Sequence, residues 1–105
     1  YIENYGVMGP CKAALESATR YLAAELAEKR IRVSCVSPGP LKTRAASGIK
    51  DFDRLLQTAI DKVPHYDEVS IDDVGNLSAF LVSDAAKAFT GYVYYVDAGF
   101  TIYGS

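Results

Sequence analysis

The chain has 105 residues, half of them apolar, and its 13 acidic and 11 basic side chains leave a formal net charge of -2, a composition that permits one small buried core. The charges are scattered rather than blocked, which excludes a basic stripe for nucleic acid and a polybasic membrane anchor, and no run of roughly eighteen apolar residues offers a membrane span. Tyr1-Ile2-Glu3-Asn4 carries neither an initiating methionine nor a charged leader, so the chain reads as soluble and as beginning within a longer protein.

In chain order, Gly9 to Lys29 is predicted as a long, alanine-rich helix, with Glu16 to Arg20 and Glu25 to Lys29 at i,i+4 spacing. Leu15, Ala18, Leu22 and Leu26 form one apolar stripe, which Ala14, Tyr21, Ala24 and Ala27 widen, so this helix expects cover on more than one side. Ile31 to Ser37 alternates and is β-branched, the pattern of a strand, and Pro38-Gly39-Pro40 stops it. Phe52, Leu55, Leu56, Ala59, Ile60 and Val63 give a second amphipathic helix, opened with the help of Asp51 and ended by Pro64. After a loop around His65, Ser70-Ile71-Asp72-Asp73 resembles a capping box, and Val74, Leu77, Ser78 and Leu81 mark the inner face of a third helix. Asp84 to Thr90 connects to a turn at Gly91 and a second strand, Tyr92 to Val96, before a short tail from Gly99.

Two strands separated by helices imply a parallel crossover, and parallel sheets need several strands and helices on both faces to bury their apolar runs. The chain is therefore expected to complete a larger, doubly wound α/β sheet as its second half. No G-x-G-x-x-G occurs, so a phosphate-cradling loop, if the fold has one, must lie elsewhere. Cys11 and Cys35 lack metal-site spacing and disulfide density, and are expected to be buried free thiols in a reducing compartment. His65, the single histidine, has no nucleophile or carboxylate motif around it and is expected on a loop or at the surface; no metal site is foreseen.

Tyr5, Met8 and Lys12 stand at i, i+3 and i+7, which on a continuous helix places them on one face within roughly 10 Å of rise. A phenol and an ammonium so arranged can share a ligand and hold a developing oxyanion. The spacing alone is common, and taken by itself it is better explained by a solvated helix end. Because Pro10 is comfortable only in a first turn, Tyr5 is expected at or just before the helix start.

The longer run Tyr5-Gly6-Val7-Met8-Gly9-Pro10-Cys11-Lys12-Ala13-Ala14-Leu15-Glu16 resembles the active-site helix of the short-chain dehydrogenase/reductase superfamily, specifically its enoyl-acyl carrier protein reductase branch. Most of that superfamily has its tyrosine four residues before the lysine, where Met8 stands; a tyrosine seven before, as here, marks the reductase branch. The resemblance continues through Ser37 to Thr43, Ala45 to Phe52, Ile71 to Asn76 and Val96 to Phe100, and spans essentially the whole chain. Pro10, Cys11, Pro38 and Ala98 depart from the family pattern, and a further tyrosine expected upstream falls before residue 1.

The resemblance implies a Rossmann-like fold and reduction of trans-2-enoyl-acyl carrier protein thioesters in fatty-acid synthesis with NADH, or alternatively NADPH. It implies that Tyr5 bonds the thioester carbonyl and that Lys12 holds the nicotinamide ribose. Gly39, Pro40, Leu41 and Thr43 would meet the cofactor, the Leu41 backbone at the carboxamide and the Thr43 hydroxyl at the pyrophosphate. Met8, Ala45, Ala46, Ile49 and Phe52 would join Tyr5 around the acyl chain. A homotetramer paired through the long helix is implied, as is a cytoplasmic location, or the plastid stroma in a plant or apicomplexan source. This portion alone, without its N-terminal half, is expected to be inactive. Two alternatives stay open: a reductase of an alcohol-ketone pair on the same fold, and a non-catalytic assembly module that keeps only the helix.

Overall fold

The structure, a computed structural model, describes residues 1–103. Its long helix α1 (Met8–Glu25) leads into strand β1 (Cys35–Pro38), two shorter helices α2 (Phe52–Lys62) and α3 (Ile71–Leu81), and strand β2 (Val93–Val96). Short 3-10 turns follow α1 at Ala27–Lys29, precede α2 at Ala46–Gly48, and bridge α2 to α3 at Tyr66–Glu68. The two strands run parallel, with Cys35 opposite Val93 and Pro38 opposite Val96, so the expected α/β class and crossover are observed.

Proline is tolerated as the last residue of β1 because of the ladder's alternation. The Cys35 N–H donates to Tyr92 O at 3.0 Å and the Gly39 N–H to Val96 O at 3.2 Å. Alternate residues face the partner strand, so the position of the missing Pro38 N–H points to the other edge, where no described strand needs it. The strand is shorter than the predicted Ile31 to Ser37. Residues 31–34 are extended but outside the ladder; Val33 is instead tied to Thr90 and Gly91, donating to Thr90 Oγ1 at 3.0 Å and accepting from the Gly91 N–H at 2.7 Å.

The buried cluster sits where α2 ends. Ala59, Val63 and Tyr66 are almost wholly enclosed, with Leu56, Ile60, Val69 and Phe100 packed around them. The apolar stripe of α2 thus continues past Pro64, and Tyr66 meets Phe100 edge to face at 5.9 Å. The Asp73 carboxylate accepts from the Ser70 N–H at 2.8 Å, as the capping-box pattern predicts for α3. Asp51 opens α2 differently from expectation: its side chain makes no cap bond, its φ is 57°, and its carbonyl accepts from Arg54 and Leu55.

The surface of α1 departs furthest from the sequence-based expectation. Only Thr19 and Ala23 are buried, whereas Leu15, Tyr21 and Leu22 of the predicted stripe are 52, 69 and 44% exposed. Cys11 is exposed and Cys35 half-buried, both as free thiols, so the expectation of two buried cysteines fails at Cys11, which lies on this uncovered helix. The i,i+4 charge pairs also do not close among the described residues; α1 stops at Glu25, and Lys29 belongs to the following 3-10 turn. His65 is at the surface as expected, 3.3 Å from Glu68.

One long-range polar contact fastens α3 to the strand layer. The Arg32 guanidinium donates to the carbonyls of Leu81 at 2.6 Å, Ala86 at 2.8 Å and Ser83 at 3.1 Å. Leu81 O is a carbonyl that the end of α3 leaves without an internal donor, where a cation suits the dipole, while Ser83 O and Ala86 O also accept from the Ala86 and Phe89 N–H groups at 3.1 and 2.9 Å. Arg32→Met keeps the aliphatic stem but removes all three bonds and orphans the Leu81 carbonyl, and is expected to lower stability by roughly 2 kcal/mol, measured as a shift of the urea midpoint in the full-length protein.

Burial of Tyr66, with the Asp97 charge adding to it, raises the phenol to a pKa of about 12 from 10. Because the folded value lies above the unfolded one, the contribution is fully present below pH 10 and is lost as pH rises through 12. Alkaline melting should therefore show a loss on the order of 2 kcal/mol across this window, and the same loss should be missing from Tyr66→Phe.

Candidate active site

Tyr5 stands just outside α1, in a turn between two residues of positive φ, Asn4 at 63° and Gly6 at 58°. Its carbonyl accepts from the Met8 N–H at 3.2 Å, and the first true α-helical bond runs from the Cys11 N–H to Val7 O at 3.1 Å. Pro10 accordingly falls in the first turn, where its missing N–H breaks no bond. The expected position of Tyr5 is thus observed, but the single helical face is not: only Met8 and Lys12, four residues apart, share α1. Tyr5 is half-buried, and Met8 and Lys12 are exposed. Among the described residues, nothing hydrogen-bonds the Tyr5 hydroxyl or pairs with the Lys12 ammonium.

The Pro38-Gly39-Pro40-Leu41 segment leaves the C-terminal end of β1, the end at which open α/β sheets bind their ligands. Tyr66 holds it there: the phenol donates to Pro40 O at 3.0 Å. Gly39 is glycine for space, because a Cβ at this position would run into the Tyr66 hydroxyl and come within 3.1 Å of the Asp97 Cβ. Asp97, also buried, accepts from the Gly99 N–H at 2.9 Å and the Thr101 N–H at 3.1 Å. These bonds shape the turn after β2, in which Ala98 adopts φ 49° where glycine would be unstrained. Tyr66 and Asp97 were not foreseen as part of this site. The signal for Tyr66 was available, since Ala59, Val63 and Tyr66 keep the four-then-three apolar rhythm of α2 beyond the proline.

Thr43 shapes the next turn. Its Oγ1 accepts from the Ala46 N–H at 3.1 Å and its carbonyl from the Ser47 N–H at 3.1 Å. The hydroxyl proton is left to donate outward, as binding an anionic oxygen requires. Thr43, Ile49 and Phe52 line one open cleft together with Lys42, Arg44 and Arg54. Ile49 also borders a second cleft, whose opposite wall is Tyr1 to Asn4, the segment leading into Tyr5. The structure therefore brings the expected pyrophosphate contact and two expected acyl-chain contacts to one cleft; the segment leading into Tyr5 lines the second, and Tyr5 itself lines neither. Ala46 is buried beneath the turn rather than facing a cleft, Ala45 is exposed, and neither Met8 nor Lys12 lines either cleft.

A nicotinamide dinucleotide fits these residues on two observations. Among the described residues nothing accepts from the Leu41 N–H, and the Thr43 hydroxyl retains a free donor. Both lie at the ligand-binding end of β1. No group of three or more His, Cys, Asp or Glu side chains among the described residues could hold a metal ion.

The family model for enoyl-(acyl carrier protein) reductase matches residues 1–101. The chain is 50% identical over 101 residues to the enoyl-[acyl-carrier-protein] reductase [NADH] of Haemophilus influenzae, covering 96% of this chain and 38% of that protein. It is similar to the crystal structure of the enoyl-[acyl-carrier-protein] reductase (NADH) of Aquifex aeolicus, with a TM-score of 0.92 at 43% identity over 99% of this chain and 40% of that one. It also resembles the Anaplasma phagocytophilum reductase solved in complex with NAD, at a TM-score of 0.86 and 42% identity, over 96% of this chain and 38% of that one. The chain spans about two fifths of the length of these relatives. Matched from end to end by the family model and at half identity by a curated relative, it belongs to the enoyl-(acyl carrier protein) reductase family.

Proposed function

We propose that this chain is the C-terminal, catalytic-residue-bearing portion of an NADH-dependent reductase of trans-2-enoyl thioesters carried on acyl carrier protein, acting in fatty-acid synthesis. The observation that carries the reading is the unpartnered phenol of Tyr5, held in the turn just before α1 and directly after residues 1–4, which line a cleft together with Ile49. The relatives named above are enoyl-acyl carrier protein reductases; two are NADH enzymes and the third was solved with NAD bound.

When bound, the nicotinamide supplies a hydride to the β-carbon of the enoyl chain. As the carbon-carbon double bond is reduced, its electron pair shifts to the thioester oxygen, and protonation at the α-carbon completes the saturated product. Tyr5 donates its hydrogen bond to that oxygen, where negative charge grows; one such donor contributes about 3 to 4 kcal/mol to many transition states. Lys12 binds the ribose hydroxyls and keeps the site electropositive. The Leu41 N–H orients the carboxamide, and the Thr43 hydroxyl donates to the pyrophosphate. Ile49 and Phe52, which line the Thr43 cleft, shield the acyl chain from water. The remaining strands and the Gly-rich phosphate loop belong to an N-terminal half, without which this portion is inactive. The exposed apolar surface of α1 supports pairing of that helix in a homotetramer, and the reading places the enzyme in the cytoplasm or a plastid stroma.

In the full-length protein, crotonyl thioester should be reduced in preference to acetoacetyl thioester, with NADH consumed one for one. Tyr5→Phe is expected to lower kcat by roughly a hundredfold. Lys12→Ala should weaken NADH binding by roughly tenfold, the loss of one charge-assisted bond. Preference for the keto substrate would indicate the carbonyl-reductase alternative; turnover unchanged in both variants would remove Tyr5 and Lys12 from the chemistry and revive the assembly-module reading of this portion.

A further inference from the structure

Tyr66 is the largest fully buried side chain among the described residues, and its hydroxyl lies against the segment that leaves the C-terminal end of β1. A phenol buried among Ala59, Val63 and Phe100 needs a partner for its O–H. It finds one in Pro40 O, at 3.0 Å, across 26 positions of sequence. That bond acts on a single rigid unit. The peptide linking Pro40 to Leu41 is trans, as are all the described peptide bonds, so its carbonyl and its N–H point in opposite directions. Anchoring the Pro40 carbonyl inward on Tyr66 therefore turns the Leu41 N–H outward, where among the described residues nothing accepts it.

Three further features keep the peptide from rotating away. Pro40 has a fixed φ. Gly39 leaves no side chain between the backbone and the phenol, and the Asp97 Cβ closes the same space from β2. Asp97 is itself pinned by the Gly99 and Thr101 amides. An unpaired N–H fixed at the ligand end of a parallel strand is a hydrogen-bond donor prepared for something outside the chain.

We propose that Tyr66 is a positioning residue for the cofactor: by holding the Pro40 carbonyl it sets the direction of the Leu41 N–H toward the carboxamide of the nicotinamide. This rests on the dinucleotide reading given above. Tyr66 touches neither cofactor nor substrate, and acts through one peptide plane. Its phenol remains protonated, and so remains a donor, throughout the neutral range.

The test uses the full-length protein and two ligands, NADH and ADP-ribose, the second lacking the nicotinamide and its carboxamide. Tyr66→Phe keeps the ring and removes only the donor. Its affinity for NADH, titrated by fluorescence, is expected to fall about fivefold, the effect of one neutral hydrogen bond, with ADP-ribose affinity and the KM for the enoyl thioester unchanged. Equal weakening toward both ligands would assign Tyr66 a general structural role and overturn the proposal, as would unchanged affinity for both. Should the variant not fold, hydrogen exchange at the Leu41 amide of the wild-type protein decides: protection by NAD+ but not by ADP-ribose is expected, and protection by both or by neither defeats the idea. A wild-type protein that binds no NADH would instead refute the cofactor reading itself, a failure visible before any variant is made.

Discussion

The parallel pairing of β1 with β2 is the contact from which the rest of the site follows. It sets Pro38 opposite Val96 and so brings the start of the Pro-Gly-Pro turn beside Asp97, the first residue after β2. Both strands end at the same level, and their two exits form one floor. The Gly39 N–H closes the last rung on Val96 O at 3.2 Å, which leaves Pro40 and Leu41 as the first residues free to face a ligand. A shift of this register by one residue would turn alternate side chains to the opposite face and separate Gly39 from Asp97.

The second constraint is packing beneath that floor. The 3-10 turn after α2 inserts Tyr66 under Gly39 and Pro40, and Phe100 packs against the same ring from beyond β2. One aromatic side chain thus connects the loop after β1, the helix that borders the cleft and the turn after β2. Burial and hydrogen bonding act here in the same sense, because the ring fills the cluster and its single polar atom is satisfied by the carbonyl that needs fixing. The Arg32 guanidinium works similarly on the other side, joining the end of α3 to the approach of β1 through three carbonyls. These two anchors hold the loop after β1 and the end of α3 against strands that are only four residues long.

The uncovered surfaces are informative in the same physical terms. A two-stranded parallel sheet and a helix of 18 residues with only Thr19 and Ala23 buried leave much apolar surface exposed. Leu15, Tyr21 and Leu22 on α1, and Ile71 and Val82 at the ends of α3, are all more than two fifths exposed. Exposed apolar patches of this size are interaction surfaces rather than ordinary solvent-facing ones.

The sequence by itself determined the three helices and two strands, the parallel crossover and the need for more sheet than the chain contains. Hydrophobic period and turn residues are local signals, and Phe52 to Val63, Ser70 to Leu81 and the Pro38-Gly39-Pro40 stop carry them strongly. The unusual Tyr5-to-Lys12 spacing was equally legible, because a motif is read from order alone. Its geometry was not: Tyr5 lies in a turn that Asn4 and Gly6 shape with positive φ, outside the helix that the spacing assumes. Which apolar residues of α1 are buried, whether Cys11 is covered, and what holds the loop after β1 were decided only by the tertiary structure. Burial and the meeting of Tyr66 with Pro40 depend on elements 26 residues apart, and no local periodicity encodes a contact between segments whose separation is set by how the whole chain folds back on itself.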